Sequence, residues 1–160
     1  RMFPLTSELS RARRAQAATS WVGEVSVSTA AGPVRIRHPR LDMGNAADIL
    51  DGNETTLMRG ARDNPFRFEI AYARPASVAS IDLVLGYMPS YGIAVTVIDG
   101  AGRRHAIDGR FEGVRGVVPH PRLAFASPVE DVREIHVTID GPRPQAVEGA
   151  HIHVYEVVVR

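Results

Sequence analysis

The chain has 160 residues, with 44% hydrophobic and 23% charged residues, a balance that fits one globular domain and excludes a wholly disordered chain. It has no cysteine, which excludes disulfides, thiolate metal sites and cysteine nucleophiles. The formal net charge is +1, but the first 40 residues carry seven Arg against Glu8 and Glu24, and the remainder carries twelve Arg against sixteen acids. No basic-aromatic motif accompanies this imbalance, so nucleic acid is not an expected partner. No run of 18 apolar residues reads as a membrane-spanning helix, and no signal-peptide pattern is visible. The first residue is Arg1, which suggests excision from a longer protein.

In chain order, residues 5–18 (LTSELSRARRAQAA) form the one convincing helical stretch, with Thr6 or Ser7 as the cap. Its apolar positions are few, so residues 1–20 read as a short basic helical arm or linker ahead of a domain at 21–160. After Trp21 the texture becomes β. Residues 22–29 alternate, with Val25 and Val27 on one face, and residues 34–37 follow a Gly-Pro turn. Residues 66–72 (FRFEIAY) alternate strictly, and residues 78–85 (VASIDLVL) are more continuously apolar. Residues 93–98 and 104–107 flank Asp99-Gly100-Ala101-Gly102, a hairpin signal. Residues 123–126, 132–139 and 152–159 complete a set of eight or nine short strands between Gly/Pro turns. That pattern predicts an all-β, antiparallel β-sandwich of the jelly-roll kind.

The stretch Ala47-Asp48-Ile49-Leu50-Asp51-Gly52-Asn53-Glu54-Thr55-Thr56 is rich in hard oxygen donors. Asp51, Asn53 and Thr56 could converge with backbone carbonyls on Ca²⁺, which takes six to eight oxygens. On residue types alone a plain turn is the simpler reading. The wider pattern adds to it. Asp51-Gly52-Asn53-x-x-Thr56, then Asn64-Pro65 and Phe66-Arg67-Phe68-Glu69-Ile70, resembles the discoidin or coagulation-factor type C family of galactose-binding-like β-sandwiches. Val78–Leu83, Arg133–Val137 and Val154–Val158 match its later strands, so the resemblance covers residues 45–160. It implies a structural calcium ion held by the side chains of Asp51 and Thr56, by Asn53, by Glu156 on the last strand, and by the carbonyls of Asp48 and Tyr155. Such an ion would staple an early loop to the end of the chain. Met58 stands where the family has Trp, which marks a divergent member.

In carbohydrate-binding members of that family, sugars sit on loops at one end of the sandwich, held by an aromatic face and polar side chains. The loops to consider here are 59–64, 86–92 and 99–105, which offer Arg59, Arg62, Asn64, Tyr87, Tyr91, Arg103 and His105. Each also has an ordinary reading, because Arg is the default surface cation of a Lys-free chain and a loop Tyr often packs on its own strand. His151-x-His153 shares one strand face, and His136 could add a third zinc ligand, although a polar outer face of a terminal strand is the simpler reading. No Gly-x-Ser-x-Gly, P-loop or dinucleotide fingerprint is present, so the domain is not expected to be an enzyme.

The expected function is non-catalytic carbohydrate binding, with a glycan or glycoconjugate as partner. The alternative is a structural or protein-docking module without sugar binding. The ending at 150–156 is similar to the close of discoidin-like domains appended to bacterial membrane glycosyltransferases. That resemblance implies an extracytoplasmic accessory domain covalently linked to a catalytic or membrane domain, with Arg11, Arg13 and Arg14 in a juxtamembrane connector.

Overall fold

The computed structural model describes residues 21–61, 63–142 and 151–160; the expected helical arm and its boundary at residue 20 lie outside them. The described residues form nine strands and one 3₁₀ helix. These are β1 (Gly23–Thr29), β2 (Gly32–His38), β3 (Leu41–Gly44), the 3₁₀ helix Ala46–Leu50, β4 (Met58–Gly60), β5 (Phe66–Leu85), β6 (Ser90–Asp99), β7 (Arg104–Glu112), β8 (Arg122–Asp140) and β9 (His153–Val159). Every strand pair is antiparallel.

The segments 66–72 and 78–85, expected as two strands, are one 20-residue strand, β5. Likewise 123–126 and 132–139 belong to the 19-residue β8. The two pair along their length, but the register shifts three times between Ala71 and Ser80. Residues 73–75 of β5 and 126–128 of β8 are exposed there. At these bulges the pair leaves one layer and enters the other, the usual way a strand turns a sandwich corner. The sequence signals Arg74-Pro75 and Ser127-Pro128 therefore mark bends inside strands, not loops between them.

The first layer runs β1-β2-β5-β8-β6-β7, using the first half of β5 and the second half of β8. The second runs β3-β4-β9-β5, with the start of β8 beyond β5. Alternation decides which side faces inward. Phe66, Phe68 and Ile70 are buried, while Arg67 and Glu69 point out. Val95 and Val97 on β6 and Ile135, Val137 and Ile139 on β8 extend the same inner face. Ile81, Leu83, Met58 and Val154 face them from the second layer, and Ile49 of the 3₁₀ helix joins this single core.

Strands β3 and β4 were not expected from the sequence. They are only four and three residues long and carry little alternation. They pair closely because Gly44 has φ +73° and no side chain, and a Cβ there would be driven into the Leu57 carbonyl. Gly102 has a similar φ of +79° with nothing within 4 Å of its Cβ position. Gly102→Ala should therefore cost only the left-handed backbone term, about 1–2 kcal/mol. Gly44→Ala should cost clearly more, because the β3–β4 pair must separate. Equal losses in denaturant unfolding would show that the close approach at Gly44 is unimportant.

Candidate functional site

The Asp51 loop follows the 3₁₀ helix and lies against β9. Gly52, at φ +71°, turns the chain so that its N–H donates to Glu156 Oε2 at 3.1 Å. Within the loop, Asn53 N–H donates to Asp51 Oδ1 at 2.8 Å, and the Thr56 hydroxyl donates to Asp51 Oδ2 at 2.7 Å. Asn53 Oδ1 accepts from Thr55. Asp51, Asn53, Thr56 and Glu156 are thus brought together. Asp48 is part of the 3₁₀ helix, and its carboxylate accepts the Asn45 N–H at 3.0 Å. Tyr155 precedes Glu156 on β9. Glu156 is 7% exposed, and its carboxyl pKa is pushed up to about 7, first by burial and then by the charge of Asp51, with Glu54 adding to it.

The seven expected sugar-contacting residues do not form one cluster. Arg59, on β4, donates from Nε and Nη2 to Asp42 of β3 at 2.8 and 3.2 Å. Arg62 lies outside the described residues. Asn64 clasps Gly141 through both ends of its amide, at 3.0 and 3.4 Å. Tyr91 is 3% exposed and stacks on Phe111 with ring centroids 5.4 Å apart, so it fills the core. Arg103 and His105 sit at the Asp99 end of the β6–β7 hairpin, where His105 is level with Val97, about 20 Å from Tyr91 at ~3.3 Å per residue. There they hold the buried Asp99, at 2.9 Å from Arg103 Nε and 3.1 Å from His105 Nε2. The His105 contact, with the Arg103 guanidinium and two backbone N–H groups, keeps the Asp99 carboxyl well below the usual range.

Tyr87 behaves differently. It is 48% exposed and lines a cleft of about 460 Å³ on the outer face of the second layer. Val84 and Gly86 also line the cleft, with Tyr155 on β9, the 116–118 loop and the carboxylate-bearing Glu54. Gly86 matters sterically, because a Cβ there would press into His153, whose ring meets Tyr155 edge-on at 6.2 Å. Sequence reading gave Tyr155 no sugar-binding role. The signal available was its position two residues after His153, on the same strand face. Glu54 and Val117 carried no such signal, because loop residues distant in sequence have no shared period.

The three histidines weighed as a zinc set are not together. His136 lies on β8 in the first layer, while His153 begins β9 in the second and His151 lies two residues before it. His151 Nδ1 is 3.0 Å from the Gly60 carbonyl and 3.4 Å from Asp42. Burial first, then the Arg59 charge, hold the His153 pKa below its ordinary value.

No family sequence model and no curated protein sequence matches the chain. Solved structures do match. A family 32 carbohydrate-binding module of NanJ from C. perfringens, in complex with galactose, aligns with a TM-score of 0.55 and 17% identity. The match covers 86% of this chain and 98% of that one. The lectin domain of lectinolysin, complexed with Lewis B antigen, aligns at TM-score 0.53 and 14% identity, over 86% of this chain and 91% of that one. SpGH29 aligns at TM-score 0.54 and 14% identity, over 91% of this chain but 29% of that one. The chain therefore has the discoidin-like, galactose-binding-like β-sandwich fold of the family 32 carbohydrate-binding modules.

Proposed function

We propose that this domain is a non-catalytic carbohydrate-binding module that holds its glycan in the Tyr87–Tyr155 cleft. The observation that carries this is the exposed Tyr87 ring, set with Tyr155 over an apolar floor and beside the Glu54 carboxylate. A planar ring packs against the apolar face of a sugar, and a carboxylate accepts hydrogen bonds from its hydroxyls. Solved modules of the same fold in complex with galactose and Lewis B antigen support the ligand class. They also support the non-catalytic reading. SpGH29, where the fold makes up part of a longer chain, supports an accessory place in a larger protein. We place that protein outside the cytoplasm, where cell-surface glycans lie; its glycosyltransferase assignment rests on the ending at 150–156 alone.

A second reading is favoured by Val114, Val117 and Val118, which are 63%, 56% and 53% exposed, the last two in the wall of the cleft. Clustered exposed valines suit docking onto a protein. A glycan array with the whole chain separates the two readings. Selective binding, weakened at least tenfold (about 1.4 kcal/mol) by Tyr87→Ala, is expected. A folded protein that binds no glycan would turn the assignment to docking.

We further propose that Asp51, Asn53, Thr56 and Glu156 hold a structural Ca²⁺, with the carbonyls of Asp48 and Tyr155. The donor set fits a hard cation, because it is all oxygen and brings two carboxylates together. The ion would neutralise that charge and tie the loop to β9. Calcium at a hundredfold excess over its Kd should stabilise the chain by about 2.7 kcal/mol, and Asp51→Asn should remove the effect. An unchanged melting temperature would defeat the assignment.

In chelator-treated protein the sign of the Glu156 effect is set by its raised pKa. Between about 4.5 and about 7 the native carboxyl keeps a proton that the unfolded chain has released. Metal-free stability should then fall as pH rises through that window. Glu156→Gln should flatten the dependence in thermal melts, and a slope surviving it would place the cause elsewhere.

A further inference from the structure

The outer face of the first layer carries a second convergence of donors, remote from the cleft in Proposed function and independent of it. Register aligns Glu24, Arg37, Glu69 and His136 in one row across β1, β2, β5 and β8. Glu134 lies two residues before His136 and so shares its face. His136 Nε2 stands 2.8 Å from Glu134 Oε2 and 3.4 Å from Glu69 Oε1. One donor atom from each of the three lies within 4.8 Å of the others. Glu69 and His136 side chains are 19% and 26% exposed, so the β-sheet fixes them more than it would free surface groups.

The charge here is incompletely answered. The Arg37 guanidinium pairs with Glu69 at 3.9 Å and its charge also reaches Glu134, but its short contact, at 2.8 Å, is with Glu24. Two carboxylates and one imidazole therefore meet here, and the one guanidinium beside them is shared with Glu24.

We propose that Glu69, Glu134 and His136 bind a divalent transition metal, with Zn²⁺ the best fit. Zinc takes mixed nitrogen and oxygen donors at about 2.0–2.2 Å, which puts tetrahedral donors ~3.3 Å apart. The His136–Glu69 separation already matches that spacing. The Glu134 carboxylate must open from His136 by roughly half an ångström, a small rotation for a side chain that is 45% exposed. The open fourth position faces solvent and would take water. The mixed donor set distinguishes this place from the all-oxygen Asp51 loop, which suits a harder cation. The ion would cross-link β5 to β8 across the middle of the sheet.

The test is calorimetric titration of ZnCl₂ into the whole chain, with Ca²⁺ in excess so that the Asp51 loop does not compete. One equivalent binding in the micromolar range is expected. His136→Ala and Glu69→Gln should each weaken binding at least tenfold, with circular dichroism showing an intact fold. His153→Ala should leave it unchanged, since His151 and His153 are the competing locus. Absence of zinc binding by the wild type overturns the site, as does binding that survives His136→Ala. If His136→Ala does not fold, the near-isosteric Glu69→Gln decides by the same criterion. A Co²⁺ visible band lost in that variant would report the ligand change directly.

Discussion

The β5–β8 pair is the constraint on which the molecule depends. It runs from Phe66↔Ile139 in one layer to Asp82↔Arg122 in the other. A slip of one residue would turn the inward set of both layers to solvent at once. The bulges between Ala71 and Ser80 let one continuous pair serve two sheets. Everything functional hangs from it. The end of β5 delivers Gly86 and Tyr87, and β9 pairs with β5 so that Glu156 lies opposite Val84. In the other layer the same pair sets His136 opposite Glu69.

Two buried carboxylates show how charge is handled once register has fixed positions. Asp99 is buried, but Arg103, His105 and two backbone N–H groups meet it, so its charged form is favoured. Glu156 is also buried, yet Asp51 and Glu54 are its charged neighbours, and its charged form is disfavoured. The first is a satisfied structural acid that closes a hairpin. The second must carry a proton or meet a cation, and it joins segments 104 residues apart. On the opposite layer Glu69 and Glu134 also stand close together, with an imidazole as the third group. The difference between the cases lies in which partners the tertiary fold supplies, not in the acids themselves.

The architecture was largely legible in the chain. Strict alternation at 66–72 and the Asp99–Gly102 turn yielded the first half of β5 and the β6–β7 hairpin, because period and turn chemistry are local. The short strands β3 and β4 were not legible. They are held by close approach at Gly44 and by pairing to β9, and neither leaves a periodic trace. Prolines at 75 and 128 misled in the other direction, since Pro marks a bulge as readily as a turn.

The site divided along the same line. Local spacing alone placed Asp51, Asn53 and Thr56 on one loop, and the loop geometry follows from Gly52. Sequence could not separate Tyr87 from Tyr91. Both flank the same Pro, yet one is exposed and the other packs on Phe111 from the neighbouring strand. Nor could it show that His136 belongs to a different layer from His151 and His153. Strand type, turns and the oxygen-rich loop were readable from the chain alone, because these depend on residues within a few positions of one another. Which side chains meet was settled by the fold, because convergence across strands is set by register and layer, and those are properties of the whole sheet.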